Sequence, residues 1–372
     1  MEQFIYAYAS RKDLDQLLDY CIIQLGDIPA EATLGFIYIS DHFSEQFATI
    51  IHRLKSATGI EHWTGSVAMG VIAGHHEYYN QPAIAIMLAD INEADFRLLP
   101  NQTQLTSPIN SKLTNWCNSN TFNCGLIHGD PTHNDFQGLL MHLDTQLPNA
   151  FLIGGVSSSH QMHYQLADNI YYGGISGILF SDQVPIMSNL TQGCLPIGNR
   201  HLITQADQNI AYTLDHKPAL EVLSDDVGDI IQHDWNNATG LIFAGLLQPH
   251  SDLNDYTVRQ IIGLDLNEKF FAIADQLETD DEIIFCSRDA DSAIEDMRRM
   301  LLQLKSRLTT APKGGIYISC MGRGPQQFNE PSQETGLIRE ILGDFPLIGF
   351  FANGEIHKNT LYGFTGVLCL FN

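Results

Sequence analysis

The chain is 372 residues long, 44% hydrophobic and 17% charged, with 43 acidic residues against 19 basic ones and a formal charge of −24. That length gives a prior of two or three domains with sizeable cores, and the composition carries no signature of disorder. A negative field of this size repels a phosphate backbone, and no segment approaches the roughly 18–20 apolar residues that span a bilayer, so neither nucleic acid nor membrane is an expected partner.

The N-terminal MEQFIYAYASRKDLD lacks the basic start, apolar run and cleavage site of a signal peptide. Cys21, Cys117, Cys124, Cys194, Cys286, Cys320 and Cys369 occur singly, with no C-x-x-C. Unpaired thiols in this number fit a reducing compartment, and the expected location is the cytoplasm.

Along the chain one plan recurs three times. The first copy runs GFIYIS (35–40), a helical stretch with Phe43, Phe47, Ile50, Ile51 and Leu54 on one face, GSVAMGV (65–71) and PAIAIMLADI (82–91). A polar connection over 101–121 follows. The second copy runs CGLIHGD (124–130), a helix carrying Phe136, Leu139, Leu140, Leu143 and Leu147, GGVSSSH (154–160) and GGISGILFSD (173–182). Residues 184–223 read as loop-rich around TQGCLPIGN (191–199), with a helix near Lys217–Leu223. The polar, acidic stretch 224–240 reads as a domain boundary.

Strand-like runs follow at 241–247, 258–265, 270–275 and 282–287. Then Ile294, Met297, Leu301, Leu304 and Leu308 mark a helix entered past Asp289 and Asp291, with Arg298, Arg299, Lys305 and Arg307 on its wet side. The third copy runs GGIYISC (314–320), a helix with Leu337, Ile338, Ile341 and Leu342, GFFANGE (349–355) and YGFTGVLCLF (362–371). Short β-branched runs suit buried strands, and the helical stretches repeat at steps of three and four. The expected fold is therefore α/β, mixed sheets flanked by helices, built from β-α-β-β units in two domains, 1–223 and 224–372.

In the glycine-rich pieces Gly65, Gly154 and Gly349 align. Small residues such as Ser66, Ser157 and Ser158 let a backbone approach a ligand, although they serve tight strand packing equally well. In the third copy Asn353 and Gly354 spell a hairpin turn, Glu355 follows as a carboxylate able to read a ligand, and Phe351 alternates with Phe350 between core and ligand wall. Arg323, between Gly322 and Gly324, offers a donor fork for carboxylate or phosphate, or an ion pair. Cys320 and Cys194 complete the candidate ligand contacts, with an inert buried thiol the simpler expectation for both.

Fifteen histidines include HGDPTH (128–133), HQMH (160–163) and His75–His76, none in a zinc pattern. C-x-x-C-H is absent, so haem would bind only non-covalently through an axial ligand that the sequence does not single out. No phosphate-binding loop, dinucleotide fingerprint or nucleophile elbow occurs.

LIGGVSSS (152–159), TQGCLPIG (191–198), ISCMGRG (318–324) and GDFPLIGFFANGEI running into GFTGVLCLF (343–371) together resemble the FIST family, with its paired N and C domains. The likeness extends from about Leu34 to the last residue and implies a FIST-N-like part at 1–223 and a FIST-C-like part at 224–372. It further implies an intracellular sensor of a small ligand, in a family often fused to kinases, cyclases or chemoreceptor modules. The likeness takes up nearly all of these residues, so a stand-alone bacterial type that binds a small polar ligand and signals through a separate partner is expected. Some members are reported to bind haem and sense nitric oxide, which is the first alternative. An enzyme using Cys320 or Glu355 in an inter-domain cleft is the second. The most specific motif of the resemblance falls on 349–355, which favours a site there.

Overall fold

A computed structural model describes residues 4–147, 149–228, 240–247 and 256–372. Contacts divide the chain into two compact units. The first comprises residues up to Thr191, Met297–Leu361 and Thr365–Asn372; the second comprises Gln192–Asp296 and Tyr362–Phe364.

The three copies lie in the first unit. Their elements are β1 (Leu34–Ser40), α1 (Phe47–Thr58), β2 (His62–Ala68) and β3 (Ala83–Ala89); β4 (Asn123–Gly129), α2 (Phe136–Gln146), β5 (Ala150–Ser157) and β6 (Ile175–Ser181); and β7 (Gly314–Cys320), α3 (Gln333–Leu342), β8 (Leu347–His357) and β9 (Thr365–Phe371). In every copy the first strand pairs parallel with the second and antiparallel with the third. One sheet carries β3-β1-β2. The other carries β9-β7-β8-β5-β4-β6, a palindrome in which copies two and three meet through the antiparallel pair β8 and β5.

The two sheets pack face to face. Phe36, Tyr38, Ala85 and Met87 meet Leu126, Ile153, Ile318, Phe350 and Val367 between them. The opposite faces are also covered. Ile37, Ile39, Val67 and Ile84 pack under helix Leu14–Leu25 and α1, while Ile127, Leu152, Val156 and Leu179 pack under α2 and helix Ser111–Asn118. Burial on both faces explains why these strands read as unbroken apolar runs rather than as alternating ones.

The aligned glycines have one steric cause. Gly65, Gly154 and Gly349 face Ile37, Ile127 and Tyr317 across the parallel pairs. A methyl group on each would stand 1.8, 1.9 and 1.7 Å from the carbonyl oxygen opposite. No side chain fits there, so these glycines permit strand approach and not ligand approach.

Several expectations change. Asn353–Gly354 is no turn: both residues lie inside β8, and pairing with β5 passes from Ala352–Ser157 to Glu355–Gly155. Three steps on one strand against two on the other make a β-bulge, with Gly354 at φ 132°. Asn-Gly reports tolerance of positive φ, and a bulge uses that tolerance as readily as a hairpin. Thr191–Asn199 is not loop but the end of strand Ile186–Gln192 and the start of strand Leu195–Asp207, whose bulge after Ile197 takes up Gly198. The connection 101–121 contains helix Ser111–Asn118. Most of the boundary stretch 224–240 lies outside the described residues; its first residues end helix Ala219–Val227.

In the second unit, Leu195–Asp207, Glu282–Ser287, Ile242–Leu247, Tyr256–Asp265, Phe270–Ile273 and Ile210–Leu214 pair in sequence, and the last strand pairs again with the first to close the ring. Ile203, Phe271, Ile283 and Phe285 pack with Leu220 and Leu223 of helix Ala219–Val227.

Candidate functional site

The bulge decides where Glu355 points. In a regular strand Glu355 would share the face of Phe351 and Asn353. The extra residue moves it onto the face of Ala352, which is the face between the sheets, and sends Ile356 to the helix-covered side. Glu355 is fully buried there. Its Oε2 accepts from the N–H of Thr365 at 3.1 Å and from Thr365 Oγ1 at 2.8 Å. Its Oε1 has no hydrogen-bond partner among the described residues. Burial pushes the carboxyl up to about 8, against the opposing pull of Thr365, the Arg323 charge and the Cys320 thiol.

Beside it, the segment after β7 turns back on itself. Arg323 is fully buried, and its Nε and an η nitrogen each lie 2.8 Å from Glu334 Oε1. Tyr317 donates to the same oxygen at 2.6 Å, and Ser319 donates to Oε2 at 2.8 Å. Burial alone would oppose the Arg323 charge, but the Glu334 carboxylate more than offsets it and raises its pKa. The Arg323 guanidinium also lies 5.1 Å over the Phe328 ring.

A second buried carboxyl, Glu77, accepts at Oε1 from the N–H of Thr335 at 3.0 Å and from its Oγ1 at 3.3 Å. Ser332 precedes α3 in a left-handed conformation and does not cap it, so Glu77 supplies the cap from the hairpin of strands Val71–Ala73 and His76–Tyr78. Burial and then the charge of Glu334 push Glu77 up to about 8. Its Oε2 has no partner among the described residues.

Two family models match the chain, the FIST N domain over residues 33–217 and the FIST C domain over residues 219–358. The chain belongs to the FIST family. It is 29% identical over 360 residues to an uncharacterized protein of Mycobacterium tuberculosis, covering 93% of this chain and 92% of that one. It is 28% identical over 329 residues to an uncharacterized protein of Mycobacterium bovis, covering 82% of each.

Within this FIST chain the Cys320 thiol and the Arg323 charge act on Glu355, while Gly324 packs against Phe351, whose ring lies on the other face of the strand. A methyl group on Gly324 would stand 3.3 Å from the Phe351 ring. That ring meets Tyr79 edge to face at 5.0 Å, and the Tyr79 hydroxyl donates to the Met321 carbonyl at 2.6 Å. Asn353 is exposed on the bulge.

The serines bind the copies to one another. Ser157 donates to the Val67 carbonyl at 2.7 Å, while Ser158 accepts from the N–H of Met69 at 3.0 Å and donates to the Phe351 carbonyl. Ser66 is buried against the carbonyls of Val67 and Tyr164. Cys194 lies in the second unit, buried with Phe243, Tyr256 and Cys286, and its carbonyl accepts from the Tyr256 hydroxyl at 2.9 Å.

Sequence reasoning missed Glu77, Glu334, Thr335 and Thr365. Glu334 sits in the first turn of a helix, where a carboxylate is ordinary, and nothing local marks it as buried. It missed equally the pair between Tyr38 and His128, whose hydroxyl and Nε2 lie 3.1 Å apart between the sheets. Burial pushes His128 down to about 3. Among the described residues no three His, Cys, Asp or Glu side chains are placed to hold a metal ion, and no helix is long and apolar enough to cross a membrane.

Proposed function

We propose that this FIST protein binds a small polar molecule in its first unit, beside Glu355, Cys320 and Thr365, and passes the event to a separate signalling partner in the cytoplasm. Its functional parts are 1–223 and 224–372. What supports that division is the break between the two family matches, at 217 and 219.

The observation that carries the ligand reading is the unsatisfied Oε1 of Glu355. Buried polar atoms are nearly always hydrogen-bonded, and one left without a partner in protein calls for another occupant. The Cys320 thiol and the Arg323 charge act on this carboxyl, Phe351 and Asn353 precede it on the same strand, and Gly324 stands against the Phe351 ring. Ser157 and Ser158 tie the neighbouring strand to copy one, and Ser66 braces copy one itself. A thermal-shift screen of a metabolite library tests the reading. At least one compound is expected to raise the melting temperature of the wild type, with the shift lost in Glu355→Ala and weakened in Cys320→Ala. A blank screen, or shifts that survive in Glu355→Ala, would count against the site.

A further inference from the structure

The two buried carboxyls share a pattern. In each, one threonine donates through both its backbone N–H and its Oγ1 to a single carboxyl oxygen: Thr365 to Glu355 Oε2, and Thr335 to Glu77 Oε1. In each, the other oxygen has no hydrogen-bond partner by distance and angle among the described residues, although the Cys320 thiol also acts on the Glu355 carboxyl. An oxygen that already accepts two hydrogen bonds is the poorer place for a proton, so a neutral carboxyl in this setting carries its proton on the other oxygen. For Glu355 that places a hydroxyl donor on Oε1.

The groups around Glu355 fit that state. Thr365 faces it from β9 and Cys320 from the end of β7. The nearby cation, Arg323, is ion-paired to Glu334. A full negative charge on Glu355 would be buried without a cation of its own, which is costly, whereas the neutral acid is not.

We infer that Glu355 serves the ligand as a neutral hydrogen-bond donor through Oε1, so the site takes an acceptor oxygen, that of a carboxylate or carbonyl, and not an ammonium group. The inference rests on the small-molecule reading above and specifies its chemistry. Burial pushes the carboxyl up to about 8, which keeps the donor present at neutral pH. Binding through it weakens roughly tenfold per pH unit once the proton is lost. Because Glu355 is fully buried, entry requires neighbouring chain to move. The adjacent stretch from Met321 to Ser332 contains only one short helix, Pro325–Phe328, and has positive φ at Gly324, Asn329 and Ser332.

The test uses the full chain with carboxyl-¹³C glutamate and follows the Glu355 carbon by NMR, assigned by its disappearance in Glu355→Gln. Sodium acetate and methylammonium chloride are the probes. The expected result is a protonated Glu355 at pH 7, perturbed by acetate and indifferent to methylammonium, with the acetate effect fading above pH 8. An ionised Glu355 at pH 7 overturns the inference, as does a response to methylammonium in place of acetate. A carboxyl satisfied by an internal water alone responds to neither probe, and that result overturns it as well. The small-molecule reading falls separately, on a blank library screen.

Discussion

Replacing Glu355 by glutamine tests whether a neutral carboxyl occupies the centre of the site. A glutamate ordinarily titrates at 4.5, and burial pushes Glu355 up to about 8. Between those values the unfolded chain has lost the proton that the folded chain keeps. Stability therefore falls as pH rises through this window and levels off above it. At about 1.4 kcal/mol per pH unit, the cost to the folded state reaches roughly 3 kcal/mol at pH 7. Glutamine never ionises. It keeps an oxygen for both Thr365 donors and places an amide N–H where the hydroxyl stood. The variant should match wild type near pH 4.5 and exceed it by roughly 3 kcal/mol at pH 7, seen as a higher urea midpoint with an unchanged slope. Equal relative stability at both pH values would mean that Glu355 is ionised in the folded protein, and the reasoning about its proton would be wrong.

Gly349→Ala should destabilise the first unit by about 3 kcal/mol or more, because the added methyl meets the Tyr317 carbonyl and not a side chain that can turn away. Gly336→Ala, in α3 with nothing within 4 Å of its new methyl, should instead stabilise by roughly 0.5–1 kcal/mol, and thermal melts of the two variants check the contrast. Arg323→Met should cost roughly 3–5 kcal/mol by stranding the Glu334 charge, and the double variant with Glu334→Gln, which removes that charge and keeps an acceptor for Tyr317 and Ser319, should recover part of that loss in a urea titration. His128 is depressed from 6.5 to about 3, so the folded chain resists a proton that the unfolded chain accepts, and stability is lost as pH falls below 6.5. That loss is roughly 2 kcal/mol at pH 5. His128→Gln should flatten the acid limb of the stability profile, and an unchanged limb would exclude His128 as its cause.

The repeats were legible because each carries the same physical demand, an apolar strand beside a glycine that must clear a carbonyl. Period and spacing report such local demands. The α/β class and the strands of all three copies followed from them. The bulge was not legible, since Asn353–Gly354 advertises only a permitted backbone angle. Strand Phe4–Ser10 and helix Leu14–Leu25 went unassigned, because neither belongs to a repeat. The candidate site was half legible. Arg323, Cys320 and Glu355 stood out as chemically distinctive residues in a glycine-rich setting. Their partners did not, because Glu77, Glu334, Thr335 and Thr365 are joined to the site only by folding, across different copies and elements. Arg323 reads in the sequence as a ligand fork or an ion pair, and its fork pairs with Glu334, which follows in the same copy.

Comparing the copies separates architecture from surplus at Glu355. Three residues beyond the carbonyl that each glycine clears stand Ser40, Asp130 and Cys320, at the end of the first strand or the residue just past it. In copy one the Ser40 hydroxyl accepts from the N–H of Ala83 at 2.9 Å, and in copy two Asp130 Oδ2 accepts from the N–H of Gly173 at 2.6 Å. Each side chain thereby anchors the entry to its third strand. In copy three a thiol, a weak acceptor, occupies this place. The N–H of Thr365, which opens the third strand, is held instead by Glu355 Oε2, reaching from the second strand through the bulge. One oxygen of Glu355 thus performs a task that the other copies give to serine and aspartate. Any acceptor would have sufficed for it. The second oxygen has no counterpart in copy one, where a hydroxyl has a single oxygen, and in copy two the remaining oxygen of Asp130 is taken by the N–H and Oγ1 of Thr132. Among the described residues only copy three keeps an unspent polar atom on its anchoring group, and there the proposed ligand would gain a hydrogen bond that the fold itself does not require.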